Sequence, residues 1–187
     1  MRSNDRIRRK KWLRQAEGYL DLIMAFDDRW PLSEVERTKL ADAAIERLDS
    51  IAHEMKIQSH DLYLRGQAFR LSGRYAQAIS CLTQSLSLNS DNVPGYLALG
   101  WCHKRTGQLD LAIDALESAL VIDGEGSIVH YNLACYWSLS NQPHLATFHL
   151  TAALDLNPDF RELIAQEPDF DPIRTHPEFI AATKVVA

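Results

Sequence analysis

Three consecutive stretches, SHDLYLRGQAFRLSGRYAQAISCLTQSLSLNSDN (59–92), VPGYLALGWCHKRTGQLDLAIDALESALVIDGEG (93–126) and SIVHYNLACYWSLSNQPHLATFHLTAALDLNPDF (127–160), are each 34 residues long and fall into register. Ala78, Ala112 and Ala146 share a column, Leu82, Leu116 and Leu150 the column four residues on, and Leu86, Leu120 and Leu154 the next. Leu88, Ile122 and Leu156 form a fourth. Upstream, Gly66, Gly100 and Ala134 align, as do Phe69, His103 and Trp137. A fixed period near 34 residues is the signature of a helical repeat array, in which each unit is one helix pair that buries its apolar face against its neighbours.

Within each row the punctuation marks a helix, a tight turn and a second helix. Gly73, Gly107 and Asn141 stand at the turn, and both residue types accept left-handed backbone angles at a helix end. Asn89-Ser90-Asp91-Asn92, Asp123-Gly124-Glu125-Gly126 and Asn157-Pro158 are turn chemistry between rows. A mid-helix glycine costs about 1 kcal/mol relative to alanine. The Gly66/Gly100/Ala134 column is therefore expected to mark close approach of two helices, with the alanine column facing it and the leucine columns, Phe69 and Trp137 filling the space around.

Outward from this array the pattern loosens. Ser33 and Glu36 form a capping box, so a helix is expected over 33–55, burying Leu40, Ala44, Leu48, Ile51 and Ala52. Ala44 and Leu48 precede Ala78 and Leu82 by 34, placing this helix in register as half of a divergent leading unit. Leu13, Ala16, Leu20, Ile23 and Met24 recur at helical spacing over 11–27, and Arg29-Trp30-Pro31-Leu32 breaks that helix. The expected organisation is a basic flexible arm (1–10), a divergent helix pair (11–58), three regular units (59–92, 93–126, 127–160) and capping helices (161–187).

The 187 residues are 46% hydrophobic, ordinary for a folded chain. Net charge is −5 but uneven: residues 1–15 hold seven bases against one acid, and the rest holds thirteen bases against twenty-four acids. No apolar run approaches the roughly 20 residues that span a bilayer. The basic start lacks the apolar core of a secretory signal; it suits a transit sequence in composition, but folded acidic helix follows it. Cys81, Cys102 and Cys135 are odd in number and widely spaced, which points to reduced thiols in a cytoplasmic protein.

The columns resemble the tetratricopeptide repeat. The second row matches best, with Tyr96-x2-Leu99-Gly100-x2-His103, then Ala112-x3-Leu116 and Ala119. Arg65 departs from the pattern where an apolar residue is usual, and Ser90 and Gly124 replace the closing proline. The tail Glu167-Pro168-Asp169-Phe170-Asp171-Pro172-Ile173-Arg174 resembles a closing segment found after the last repeat of bacterial members, and reads as a cap offering Leu163, Ile164, Phe170, Ile173, Phe179 and Ile180 to the last face with acids outward. The resemblance implies an all-α, right-handed superhelical solenoid of antiparallel helix pairs. It also implies a protein-interaction adaptor without catalysis.

In that family the first helices of successive repeats line a concave groove. Carried over by position, the groove residues are Tyr63, Gln67, Arg70, Leu97, Trp101, Lys104, Arg105, Tyr131, Cys135 and Ser138. An aromatic strip edged by bases suits a peptide or helix with apolar anchors and acidic flanks. The alternative is that Trp101 and Tyr131 are covered by the chain's own N-terminal helix or tail. The family's carboxylate clamp for chaperone tails falls on Tyr63, Gln67, Ala98, Ile128 and Asn132, which lack its Lys, Arg and Asn set, so a chaperone tail is not expected. The histidines show no zinc-ligand spacing, and there is no phosphate loop, nucleophile elbow or paired carboxylates, so no metal, cofactor or active site is expected. The basic arm Arg6 to Trp12 suits contact with nucleic acid or an anionic membrane, pairing with the acidic body, or a solubilising end. A non-catalytic subunit of an enzyme complex is a further alternative.

Overall fold

The computed structural model describes residues 3–25 and 31–184. Among them there is no strand. The helices are α1 (Ser3–Ala25), α2 (Glu34–Glu54), α3 (Ser59–Leu71), α4 (Tyr75–Leu88), α5 (Val93–Arg105), α6 (Leu109–Ile122), α7 (Ser127–Leu139), α8 (Pro143–Leu156), α9 (Arg161–Ile164) and α10 (Pro177–Thr183), with 3-10 turns at Pro158–Phe160 and Pro168–Ile173. The 34-residue rows therefore correspond to α3–α4, α5–α6 and α7–α8. The chain divides into two compact units, 1–102 and 103–187, the boundary falling inside α5.

One turn is used three times. In the first row the Arg74 N–H donates to Phe69 O (2.9 Å) and the Gly73 N–H to Arg70 O (3.1 Å). Gln108 and Gly107 repeat these bonds to His103 (2.9 Å) and Lys104 (3.1 Å), and Gln142 and Asn141 to Trp137 (2.9 Å) and Ser138 (2.8 Å). This is the Schellman arrangement, which satisfies the last carbonyls of a helix and requires a left-handed residue. Gly73 and Gly107 have φ of 75° and Asn141 has 55°. The Phe69/His103/Trp137 column thus marks the residue whose carbonyl receives the reversing bond.

In the unit 1–102, α1, α2 and α3 enclose Ala16, Leu20, Ile23, Ala41, Ala44, Leu48, Ile51, Leu64 and Ala68. Ala44 and Leu48 are buried as the register requires, but Leu40 and Ala52 are only half-buried, Ala41 takes a fully buried place instead, and Met24 is exposed. The Ser33–Glu36 capping box is present, with both reciprocal bonds. Of the helix break, Arg29 and Trp30 lie outside the described residues. Arg65 reaches Asp49 on α2 at 2.6 Å, which accounts for a base where the family pattern has an apolar residue. A Cβ added at Gly66 would stand 2.6 Å from Leu82 Cγ and 3.5 Å from the Ala78 carbonyl oxygen, so the glycine does permit close approach of α3 and α4. The contact itself is with the leucine side chain rather than that of Ala78. Ser59 and Ser85 close the open end of the pair, each hydroxyl donating to the other's carbonyl at 3.0 and 2.7 Å.

The expectation of a flexible arm at 1–10 does not hold for residues 3–10, which are part of α1. The reason is Arg9. Its guanidinium donates to both oxygens of Asp61 at 2.6 and 2.5 Å and to the Lys56 carbonyl at 3.2 Å. Both side chains are under 10% exposed. Asp61 also accepts from the Gln58 backbone N–H at 2.7 Å, so one carboxylate caps α3 and anchors α1. Arg8 is likewise engaged, by Asp5 (3.2 Å) and Glu54 (2.8 Å).

In the unit 103–187, α6, α7 and α8 bury Ala112, Leu116, Ala134, Ala146 and Leu150 completely, as the columns predict. The fourth column does not join the core: Leu88 in the other unit, Ile122 and Leu156 here, are exposed at helix C-termini. The cap forms, but only in part as expected. Ile164, Phe170, Ile173 and Phe179 are buried, whereas Leu163 and Ile180 point outward. Arg174 holds it together, donating to Ile164 O (3.1 Å), Glu167 O (2.7 Å) and Asp171 (2.7 Å). His130 and His149 meet Nδ1 to Nδ1 at 3.0 Å between α7 and α8. Burial, and secondarily the His130 ring, push His149 down to about 4.

Three outcomes are expected from this packing. Nothing lies within 4 Å of a Cβ added at Gly73 or Gly107. Alanine at either site therefore costs only the left-handed backbone, about 1–2 kcal/mol in chemical denaturation, whereas Asn141→Gly leaves stability unchanged or raised. Asp61→Ala strands a buried guanidinium and lowers stability by about 3–5 kcal/mol, the penalty for breaking one side of a buried pair. The unfolded chain protonates His149 near its ordinary 6.5 and the folded chain only near 4. The unfolded state therefore binds the extra proton in that window, and the melting temperature falls as pH drops through it. His149→Gln makes that fall shallower; equal slopes in the two proteins would reject the assignment.

Candidate functional site

On α3, Tyr63, Gln67 and Arg70 lie at spacings of four and three residues and share one face. They form a relay: Gln67 donates its amide to Tyr63 Oη at 2.9 Å and accepts from Arg70 Nε at 2.7 Å. The Arg70 guanidinium is carried over the indole of Trp101 on α5, 5.3 Å from its centre. Tyr75, at the start of α4, meets the same indole edge-on at 5.4 Å. Arg74 stacks over Phe69 at 4.8 Å beside them. Four residues assigned to the groove by position, Tyr63, Gln67, Arg70 and Trp101, are thus brought into one assembly, and all four are half-buried.

This assembly borders a cleft of about 400 Å³, lined by Arg37 and Thr38 of α2, Arg70 and Ser72 at the end of α3, Tyr75 and Trp101. Tyr75 and the α2 side chains were not legible as site residues, because the 34-residue register places only first-helix positions on the groove. A turn residue and a preceding helix enter through packing. Cys102 lies under this wall and is fully buried; burial raises its thiol to about 11 against the opposing pull of Arg70, so it is an inert thiol. Leu97 is half-buried on α5.

The remaining groove positions fall in the unit 103–187 and are disposed differently. Tyr131, Cys135 and Ser138 have at most 5% of their surface exposed. The Tyr131 ring is 4.9 Å from Phe160 and 5.8 Å from Phe170, so the chain's own C-terminal segment covers it. Burial, with the nearby carboxylates of Glu167 and Asp169, pushes both the Tyr131 hydroxyl and the Cys135 thiol up. Lys104 pairs with Asp169 and lies 5.6 Å over the Tyr136 ring. Arg105 is exposed at the end of α5. Of this part of the set, the tail meets Tyr131 and Lys104, while Arg105 stays exposed.

Of the basic segment, Arg6, Lys10, Lys11 and Arg14 are exposed on α1 while Trp12 is half-buried. Among the described residues no group of three or more His, Cys, Asp or Glu could hold a metal ion, and no helix is long and apolar enough to cross a membrane. His130 and His149, which sit on packing columns, face each other rather than forming a ligand set with the other histidines.

A tetratricopeptide repeat family model matches residues 69–131, from the end of α3 into α7. No curated protein matches the chain. Among solved structures, MamA superposes with a TM-score of 0.60 at 18% identity, covering 79% of this chain and 89% of its own. YrrB, described as a TPR protein with an unusual peptide-binding site, gives 0.62 at 17% identity over 71% and 72% of the two chains. The APC/C hetero-tetramer Cut9–Hcn1 gives 0.61 at 20%, over 74% of this chain and 30% of that one. The 34-residue register, the thrice-used left-handed turn, the family match and the shared fold converge: residues 69–131 are tetratricopeptide repeat, and the chain has the fold of tetratricopeptide-repeat proteins.

Proposed function

We propose that this protein is an interaction module, an adaptor that captures an extended or helical segment of another protein on the face formed by α3 and α5. One observation carries the reading: Arg70, oriented by Gln67, lies over Trp101 at the edge of the cleft. A guanidinium stacked on an indole makes a flat apolar surface with a positive rim, and both residue types dominate binding energy at protein interfaces. Such a surface suits an apolar anchor flanked by acidic residues. The peptide-binding site named for YrrB supports a peptide as the ligand class. Proteins of this repeat family are typically non-catalytic scaffolds, which agrees with a surface built of stacked rings and ion pairs. Three free thiols suit a reducing, cytoplasmic setting.

The reading is tested by capture. Arg70→Glu reverses the rim charge and Trp101→Ala removes the flat surface. Each variant is expected to retain wild-type far-UV circular dichroism and to lose at least about tenfold of the polypeptides recovered from source cells, the scale of one interface hot spot. Recovery unchanged from wild type in both variants would remove the α3–α5 face from consideration.

A further inference from the structure

Within the unit 103–187, the segment Glu167–Arg174 lies against the face of α7 whose positions belong to the ligand groove in the repeat pattern. The segment is shaped by its own contacts. Glu167 accepts from the Asp169 N–H at 3.1 Å, and Arg174 donates to the carbonyls of Ile164 and Glu167 and to the Asp171 carboxylate. It presents an acid to the end of α5 and an aromatic ring to α7: Asp169 pairs with Lys104, and Phe170, fully buried, stands edge-on to Tyr131. That is the chemistry expected of a peptide ligand on an aromatic strip edged by bases.

The fit is incomplete. Beside Phe170, Tyr131 Oη is buried without a hydrogen-bond partner, and so is Ser138 Oγ further along α7. A buried hydroxyl that has surrendered water and gained nothing is unfavourable, and an occupant offering it an acceptor has an advantage over one that does not. The two hydroxyls lie seven residues apart on one helix face, so both belong to the same covered strip. The native occupant satisfies this strip in shape and charge but leaves its donors unused.

We propose that Glu167–Phe170 is a displaceable intramolecular ligand, and that the α7 face takes in its place a peptide of a partner protein in which an acidic residue precedes an aromatic one. The cis segment lowers the apparent affinity of the face by the fraction of time the face is open, so release of the segment is the regulated step. The proposal uses none of the residues of the Arg70–Trp101 assembly, and its test leaves those residues intact.

The probe is a fluorescein-labelled peptide of sequence EPDFDPIR, titrated by anisotropy into the full-length protein. Phe170→Ala, which weakens the cis occupant, is expected to bind at least tenfold tighter than wild type. Adding Lys104→Glu, or changing the peptide's acid–aromatic pair to Lys-Ala, is expected to abolish binding. In the wild-type protein, the amides of Asp169, Phe170, Asp171 and Ile173 are expected to exchange at least tenfold faster than those at the centre of α7, reporting local opening. The proposal is overturned by equal peptide affinity in the two proteins, by no binding to a Phe170→Ala protein with native circular dichroism, or by exchange of the Asp169, Phe170, Asp171 and Ile173 amides at the rate of α7. If Phe170→Ala fails to fold, the exchange comparison on the wild-type chain decides alone.

Discussion

Close contact between the two helices of a pair is the constraint on which the rest depends. Gly66 shows it most directly, since the space a Cβ would need is filled by Leu82. Ala134 and Leu150, which hold the corresponding places in the third row, are both fully buried. A pair held this tightly must reverse the chain in very few residues, and the Schellman turn does so with one left-handed residue. Contact and turn together set the 34-residue length, and that length brings residues such as Tyr63, Gln67 and Arg70 to corresponding places in each row.

The N-terminal helix obeys a different rule. It stands outside the 34-residue register, and a buried ion pair adds to the packing of Ala16, Leu20 and Ile23. Arg9 donates two short bonds to Asp61, while the Lys56 carbonyl accepts from Arg9 and the Gln58 amide donates to Asp61. Buried charges are tolerated only when satisfied in this way. The pair fixes α1 against the start of α3 and takes Arg9 out of the basic cluster. The positive charge left on the surface of α1 is smaller than the composition of residues 1–15 suggests.

The two halves of the expected groove illustrate how one pattern yields two outcomes. In the unit 1–102 the assigned residues form a half-buried assembly around Trp101. In the unit 103–187 the equivalent residues Tyr131, Cys135 and Ser138 are buried, Tyr131 against Phe160 and Phe170. The register assigns all of them to one class of position. What covers a position depends on which distant segment arrives there.

Periodicity determined the helix-pair fold, the turns at Gly73, Gly107 and Asn141, the buried alanine column and the buried Leu82, Leu116 and Leu150 column, because each is a local or short-range consequence of residue spacing. The packing columns also carried a signal for the His130–His149 contact, since both stand where other rows place residues such as Leu62 and Ala115. Only the tertiary structure decided that Arg9 is buried, that Leu88, Ile122 and Leu156 are not, that Tyr75 and α2 border the cleft, and that Phe170 closes over Tyr131. Those outcomes join residues tens of positions apart. Spacing along a chain specifies which face a side chain takes, whereas the identity of the group opposite it is settled by packing.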